Sequence, residues 1–290
     1  MTRPAVAGKR SNEELEAAVR KTVADSTERN DFSGWASTWP GRRIKVHVEG
    51  DGPMAGTTDA ADGSRQFHFP DFKEMSNGTL KYDVRKVFMD DTQTFVVTLS
   101  RLTAVRDGVA LNEPLCCVWR IGEHPEDQEI IENWDHFYDI VSWDAFWDAD
   151  FDRVRVKPEG PGIDEDAFRA AARELRETQR DDVWAPFLAD DVVAFYDGSN
   201  PGAGKYVGKD AVLRSLGWYR QRSGGTLETS IEKVMTDNFF AISVGRWRAQ
   251  RDGASLDHLV FTAWWTEQAK AIRSWTHIDD LTTWDEFWND

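Results

Sequence analysis

One tryptophan-rich motif occurs twice in this chain, once near the middle and once at the end. Residues 134–147 read WDHFYDIVSWDAFW, and residues 275–288 read WTHIDDLTTWDEFW. The first and last tryptophans of the two copies are each separated by 141 residues. A shared W-x-H-x-x-D pattern followed by [ST]-W-D-x-F-W is too ordered to arise from composition. The chain therefore encodes one domain twice.

The duplication extends upstream of this motif. Residues 95–108 and 240–253 match and both end in Arg-Asp-Gly, and a Gly-Thr-Leu triplet occurs at 78–80 and again at 225–227. A period this long indicates two whole domains rather than a solenoid. Proline and glycine interrupt residues 157–162 (KPEGPG) and indicate a linker. We therefore predict a first domain over 1–156, a linker over 157–163 and a second domain over 164–290.

Length, charge and cysteine content limit the class of protein. A chain of 290 residues suits two domains that each bury a core. Its net charge of −16 disfavours nucleic acid or an anionic membrane surface as a partner. The sequence shows no signal peptide and no apolar run long enough to span a membrane. Cys116 and Cys117 are adjacent on a predicted strand and face opposite ways, so we expect no disulfide and a cytoplasmic location.

Each copy reads as helices followed by a meandering antiparallel sheet, which is an α+β pattern. Ser11 and Glu14 form a predicted capping box at the first helix, and Thr283 and Glu286 have the same spacing at the last. A short helix is expected around Trp35 or Trp184. The other expected elements are helices over 12–28, 166–179 and 208–219, strands over 44–49, 82–88, 94–105, 112–121, 192–196, 229–235, 239–249 and 257–266, a last strand carrying Trp-x-His, and closing helices from Ser142 and Thr283.

Tryptophan is unusually frequent, with 14 residues. Those that recur in both copies are expected in the core. Four have no counterpart and are candidates for lining a pocket for a flat apolar ligand. These four are Trp39, Trp218, Trp247 and Trp265.

His136 and His277 are the first candidates for catalysis, because imidazole titrates near neutral pH. Each follows a tryptophan by two positions on a strand, so histidine and tryptophan share a face. The alternative is a structural histidine that ties the last strand to the closing helix through Asp139 or Asp280.

Arg101 and Arg246 occupy matched positions in a long apolar strand. A guanidinium there must be paired or must face solvent or a pocket. It could bind a phenolate or stabilise an oxyanion. A salt bridge to Asp139 or Asp280 is the structural alternative.

The copies differ after their first strand. Counting from Trp35 and Trp184 places His47 at the position of Tyr196, and Asp197 follows directly. An aspartate in an apolar pocket has a raised pKa and is a competent base. His47 and Asp197 are therefore catalytic candidates, and Tyr82, found in one copy only, is a further one. Tyr196 is a candidate for the pocket wall, together with three other polar residues confined to one copy: His68, Tyr138 and Tyr206.

No cofactor is expected. The six histidines are scattered without His-x-x-x-His spacing, and the Cys-Cys pair has no Cys-x-x-Cys partner, so a metal site is disfavoured. Gly-x-Gly-x-x-Gly and P-loop motifs are missing, which disfavours a nucleotide cofactor.

The order of elements resembles the nuclear transport factor 2-like fold, in particular its SnoaL-like branch. The resemblance rests on residues 180–184 (RDDVW), 187–192 (FLADDV), 206–211 (YVGKDA) and 132–135 (ENWD). It implies a cone-shaped pocket between a curved sheet and the helices, and two tandem copies packed as an internal pseudo-dimer that could assemble further. In ketosteroid isomerase-like members a catalytic aspartate stands near the position of Asp197. The first copy departs from the family pattern at 69–72.

This resemblance implies acid–base chemistry on an apolar substrate without metal or redox cofactor. We expect a lyase that acts on a hydroxylated aromatic molecule, such as a lignin-derived diarylpropane diol, and releases formaldehyde and a stilbene. An epoxide hydrolase or a polyketide or polyether cyclase, using Asp197 with a partner such as Asp280, is one alternative. A non-catalytic module that binds hydrophobic ligands is the other.

Overall fold

The computed structural model describes residues 11–28, 44–50, 55–60, 69–121, 130–157 and 159–289. The chain divides into two compact units, Met1–Pro158 and Glu159–Asp290. Trp39, His68 and the short helix expected around Trp35 lie outside the described residues. None of the helices in the described ranges is both long and apolar enough to cross a membrane.

Within the described ranges, each unit contains helices and six strands. The first unit has α1 (Asn12–Glu28), β1 (Ile44–Val48), β2 (Gly56–Ala60), α2 (Phe69–Met75), β3 (Lys81–Met89), β4 (Phe95–Arg106), β5 (Val109–Ile121), β6 (Ile130–Phe137), α3 (Ile140–Trp147) and a 3₁₀ turn (Phe151–Arg153). The second has α4 (Glu165–Thr178), a 3₁₀ helix (Asp181–Phe187), β7 (Leu188–Tyr196), β8 (Gly204–Val207), α5 (Lys209–Arg222), β9 (Glu228–Thr236), β10 (Phe240–Arg251), β11 (Ala254–Glu267), β12 (Lys270–Ile278) and α6 (Leu281–Trp288).

The two sheets have the same strand order, β2-β1-β6-β5-β4-β3 and β8-β7-β12-β11-β10-β9. The sheets are mixed rather than purely antiparallel. The first strand of each unit, β1 or β7, pairs in parallel with the last, β6 or β12. These two strands are far apart in sequence, and a long connection permits parallel pairing. The edge strands β2 and β8 were not predicted, since GTTDA and GKYV lack an alternating apolar pattern.

The strand register fixes how the two copies correspond. His47 lies opposite Trp134, and Phe195 lies opposite Trp275, so His47 corresponds to Phe195. The predicted equivalence of His47 and Tyr196 is wrong, because the stretch from the upstream tryptophan to this strand differs in length by one residue between the copies. By the same register, Glu49 corresponds to Asp197.

One face of each sheet packs against the helices, and we call it the helix-covered face. In the first unit, Val19 of α1 and Phe146 of α3 pack in one cluster with Trp119 of the sheet. In the second, Phe168 of α4 packs with Trp264. Side chains alternate between faces along a strand, so neighbouring residues point to the other side, here called the reverse face.

The helix caps confirm one prediction and correct another. At α1, Ser11 N donates to Glu14 Oε2 (2.8 Å) and Glu14 N donates to Ser11 Oγ (3.2 Å), which is the predicted capping box. The box predicted at Thr283 is wrong, because Asp280 caps α6 and accepts from Thr283 N. Asp139 caps α3 in the same way. A carboxylate next to the positive end of the helix dipole is the stronger cap.

In both copies, the aspartate of the repeated Trp-Asp motif lies against a glycine that follows the first strand of the unit. Gly50 and Gly198 have φ of +113° and +116°. A Cβ atom on Gly50 would lie 2.6 Å from Asp144 Oδ2, and one on Gly198 would lie 2.5 Å from Asp285 Oδ1. Both copies therefore pair a glycine in the left-handed region with an aspartate of the closing helix.

The residues that join the units belong structurally to the second. Pro161 O accepts a hydrogen bond from Ala269 N (2.8 Å), and Ile163 is buried. A Cβ atom on Gly162 would lie 2.0 Å from Asp237 O. Part of the predicted linker is thus packed against a sheet turn.

Candidate active site

A row of polar side chains crosses the helix-covered face of the first unit. Thr98 of β4, Cys117 of β5 and Asp135 of β6 lie directly opposite one another in the strand register. Tyr82 of β3 reaches over them, with its hydroxyl 3.2 Å from Cys117 Sγ and 3.4 Å from Thr98 Oγ1. We call these four residues the polar row.

Aromatic residues surround the polar row. Tyr82 and Cys117 belong to the same buried cluster as Trp119, Phe137 and Trp143. Phe137 and Trp143 stack with ring centroids 4.1 Å apart. An ionisable group in such apolar surroundings is poorly solvated, so its charged form is disfavoured.

Burial controls protonation along the row. It raises the pKa of the Asp135 carboxyl, while contacts with Cys117 and Asn133 partly offset that rise. Burial also raises the pKa values of the Tyr82 phenol and the Cys117 thiol well above their usual ranges. The phenol and the thiol therefore stay protonated at neutral pH, and the carboxyl moves toward the range in which it can give or take a proton.

Asp135 has hydrogen-bonding capacity that the described residues leave unused. Its Oδ1 atom is closed to solvent and has no hydrogen-bond partner within the described ranges. A buried acceptor without a partner costs about 1–3 kcal/mol. A ligand hydroxyl placed there would recover that free energy.

The second unit keeps a row at the same positions but without an ionisable group. Ser243, Thr262 and Thr276 replace Thr98, Cys117 and Asp135 in the register. Thr262 Oγ1 and Thr276 Oγ1 are 3.2 Å apart. Among these positions, only those of the first unit carry ionisable side chains.

The helix-covered face of the second unit instead carries an aromatic cluster. Tyr219 lies at its centre, with ring centroids 5.0 Å from Trp218, 5.5 Å from Trp247 and 6.2 Å from Tyr196. Tyr206 lies 5.6 Å from Tyr196. The structure thus brings together four residues predicted to line a pocket, around a tyrosine that the sequence analysis did not single out. We call these five residues the tyrosine cluster.

The phenols of the tyrosine cluster remain protonated. Burial raises the pKa of Tyr196 to about 12. It also raises the pKa values of Tyr206 and Tyr219. These hydroxyls act as hydrogen-bond donors at neutral pH.

The predicted catalytic histidines lie on the reverse faces. His277 is fully buried, with Nδ1 2.6 Å from Asp197 Oδ2, and Trp275 Nε1 donates to Asp197 Oδ1 (2.6 Å). His136 Nδ1 is 3.1 Å from Glu49 Oε1. The alternative partners, Asp139 and Asp280, were wrong, because their side chains cap α3 and α6.

The other predicted charged residues also lie away from the polar row. His47 stacks on Trp134 at 5.5 Å and its Nε2 is 2.7 Å from Glu132 Oε1. Arg246 pairs with Asp257 at 3.1 Å rather than with Asp280. Arg101 is buried opposite Pro114 on the reverse face.

Two predicted wall residues complete the set. The guanidinium of Arg273 lies 4.8 Å above the Trp265 ring, on the reverse face of the second sheet. Tyr138 follows β6 and its backbone N donates to Pro114 O (3.0 Å). Of the seven predicted catalytic residues, the structure places only Tyr82 in the polar row.

Asp135, Cys117 and Thr98 were not predicted as site residues, because the amino-acid sequence does not indicate which face of the last strand points toward the helices. The motif drew attention to positions 134 and 136, and alternation puts 135 on the opposite side. The difference between the copies could have pointed to this position, since the second residue of the motif is Asp135 in the first copy and Thr276 in the second. Within the described ranges, no three His, Cys, Asp or Glu residues group so as to hold a metal ion.

No family model matches this sequence, and no curated protein matches it. Solved structures match one half of the chain at a time. Bal32a, from a soil-derived mobile gene cassette, is 22% identical over 43% of this chain and 95% of its own, with a TM-score of 0.39. An NTF2-like protein of unknown function from Burkholderia pseudomallei K96243 is 15% identical over 43% and 96%, with a TM-score of 0.35.

A putative SnoaL-like polyketide cyclase from Jannaschia sp. CCS1 is 14% identical over 45% of this chain and 94% of its own, with a TM-score of 0.34. Both units of the present chain repeat one strand order, and helices cover one face of each sheet. The chain is thus a tandem pair of α+β units that share one topology.

Proposed function

We propose that the first unit is a cofactor-independent acid–base lyase for a hydroxylated aromatic small molecule, such as a lignin-derived diarylpropane diol. One observation carries this proposal. Asp135, a carboxyl with a raised pKa, lies opposite Cys117 in the strand register, and the protonated phenol of Tyr82 contacts Cys117 Sγ at 3.2 Å.

The chemistry needs a single group that first gives and then takes a proton. Protonated Asp135 transfers its proton to the benzylic hydroxyl of the substrate, which departs as water. The para-phenol of the substrate loses its proton, and a quinone methide forms. Tyr82 donates a hydrogen bond to a substrate oxygen and orients it.

The second step restores the enzyme. The Asp135 carboxylate takes the proton of the primary hydroxyl, whose carbon leaves as formaldehyde when the C–C bond breaks. The electron pair of that bond forms the stilbene double bond, and the exocyclic C=C pair of the quinone methide moves into the ring to restore the phenolate. The phenolate then takes back from solvent the proton that the phenol released in the first step. The sum is diol to stilbene, formaldehyde and water, with no oxidant or reductant.

Two observations favour this reaction over the alternatives. An epoxide hydrolase of the kind expected from the sequence would use Asp197 with Asp280, but Asp197 binds His277 and Asp280 caps α6. A purely binding module does not require an acid with a raised pKa among apolar rings, because such a group costs stability.

The test is an incubation of chelator-treated protein with a racemic phenolic diarylpropane diol, following stilbene absorbance and trapped formaldehyde. We expect one formaldehyde per stilbene. Asp135→Asn should lower the rate by about 10²- to 10⁴-fold, the usual contribution of a positioned acid–base group. Thr276→Val, at the matching position of the second unit, is the control and should keep the wild-type rate. Wild-type turnover by Asp135→Asn would refute the assignment of the site.

A further inference from the structure

A short loop in the second unit is fastened by one carboxylate. Residues 198–203 follow β7, and we call them the strap. Asp285 Oδ2 accepts hydrogen bonds from Ser199 N and Ser199 Oγ, both at 2.7 Å. Its Oδ1 atom accepts from Asn200 Nδ2 at 2.7 Å. The strap is therefore tied to α6 mainly through a single side chain.

The strap lies directly on the tyrosine cluster. A Cβ atom on Gly202 would lie 2.6 Å from Trp218 Cζ3 and 2.6 Å from Tyr219 Cζ. Tyr206 Oη donates to Gly202 O at 2.9 Å. Position 202 favours glycine, because the backbone lies so close to the two rings that a side chain would collide with them.

Beneath the strap, the Tyr219 hydroxyl is a donor without an acceptor. Tyr219 is 0% exposed, and its hydroxyl has no hydrogen-bond partner among the described residues. Its ring is enclosed by Trp288 (4.9 Å), Trp247 (5.5 Å) and Trp284 (5.7 Å). A buried polar group in this condition is stabilised by any ligand that supplies the missing acceptor.

We propose that the strap closes over a second, non-catalytic binding site in the second unit, which takes a neutral aromatic molecule that carries a hydroxyl group. Opening the strap lifts Gly202 from the rings and makes room for the ligand. The ligand oxygen then accepts the hydrogen bond of Tyr219. This site lies in a different unit from the proposed lyase site and is independent of it.

The chemistry of the surroundings limits the ligand. Three tryptophan rings favour a flat aromatic molecule. Asp285 lies close enough to raise the pKa of Tyr219, and its negative charge disfavours an anionic ligand. Thr262 and Thr276 stand where the first unit has a thiol and a carboxyl, so a bound molecule meets no acid or base at that row and is released unchanged.

The test uses ¹⁹F NMR of protein labelled with 3-fluorotyrosine, because the chain has only five tyrosines. Tyr→Phe variants assign each resonance. Titration with 4-phenylphenol should shift the Tyr219 resonance, and biphenyl, which lacks the hydroxyl, should shift it far less. Asp285→Ala should raise the rate at which the Tyr219 resonance responds to 4-phenylphenol by about tenfold, because the closed strap loses its main restraint. Glu286→Ala removes an equal charge from the same helix and is the control.

The outcomes separate this inference from the proposed lyase function. A Tyr219 resonance that 4-phenylphenol leaves unmoved in both the wild type and Asp285→Ala overturns the second site. The Tyr82 resonance in the same spectra reports on the first unit. A shift at Tyr82 alone would leave the lyase proposal standing and overturn the second site. A shift at Tyr219, with no stilbene formed in the diarylpropane diol incubation, would support the second site while the lyase proposal fails.

Discussion

At Asp135, competing influences act on one carboxyl group. Burial raises its pKa, contact with the Cys117 thiol lowers it, and the nearby Glu49 carboxylate raises it again. Thiols are weak hydrogen-bond donors, but this one lies directly opposite the carboxyl in the strand register. Cys117 is thus a positioning residue that sets the proton affinity of the acid.

Replacing Cys117 by alanine removes the donor that stabilises the Asp135 carboxylate. The pKa of Asp135 should then rise further. The alkaline limb of the kcat/KM profile should move to higher pH, because the first step needs protonated Asp135, which then persists to higher pH. Cys116→Ala is the matched control, since that thiol is on the reverse face opposite His136. Equal shifts in the two variants, or a shift to lower pH, would contradict the role of Cys117.

At the level of elements, the sequence was sufficient where a pattern is periodic. The capping box at Ser11 and the three long strands of each unit were predicted within a few residues, because apolar alternation and cap chemistry are local. The short edge strands and the inward face of β6 were not predictable, since both depend on packing against distant parts of the chain. That limit explains why Asp135, which lies on β6, was not predicted.

Glu113 links β5 to the start of α3. It is 1% exposed, and its Oε1 accepts from Asp139 N at 2.6 Å. Burial raises the pKa of Glu113 to about 8, despite the opposing backbone hydrogen bond from Asp139. Because the folded pKa lies above the ordinary value of 4.5, folding favours the protonated form. Its contribution to stability is full below about pH 4.5 and is lost as pH rises through about 8.

Glu113→Gln should therefore gain stability relative to the wild type as pH rises from about 5 to 9. The difference in free energy of unfolding should be on the order of a few kcal/mol at the upper end. Urea unfolding at both pH values measures it. Glu74→Gln, which removes an exposed carboxylate from α2, should show no such trend. An unchanged difference across this range would show that Glu113 is charged in the folded protein.

On the scale of the whole molecule, the junction between the units is more ordered than its proline and glycine content suggests. Pro161 bonds to the β11–β12 turn, and Gly162 sits against the turn before β10. The predicted linker began at residue 157, whereas the second compact unit begins at Glu159.

Two neighbouring glycines test this junction in the intact chain. A Cβ atom on Gly162 would meet Asp237 O at 2.0 Å, whereas one on Gly160 would meet nothing within 4 Å. Gly162→Ala should lower the free energy of unfolding by about 1–3 kcal/mol through overpacking. Gly160→Ala should stay within about 0.5 kcal/mol of the wild type. Denaturant titration compares them, and equal stabilities would mean that residues 159–163 are a loose tether.

The paired glycine and aspartate at Gly50 and Asp144, and again at Gly198 and Asp285, have a consequence for inheritance. Any side chain on the glycine collides with the carboxylate, and the left-handed backbone penalises it further. In the second unit, loss of Asp285 also removes the hydrogen bonds from Ser199 and Asn200. A substitution at one position of a pair is therefore unfavourable unless the other position changes too. We expect descendants of this gene to change both members of a pair or neither, and each half of the chain to do so independently.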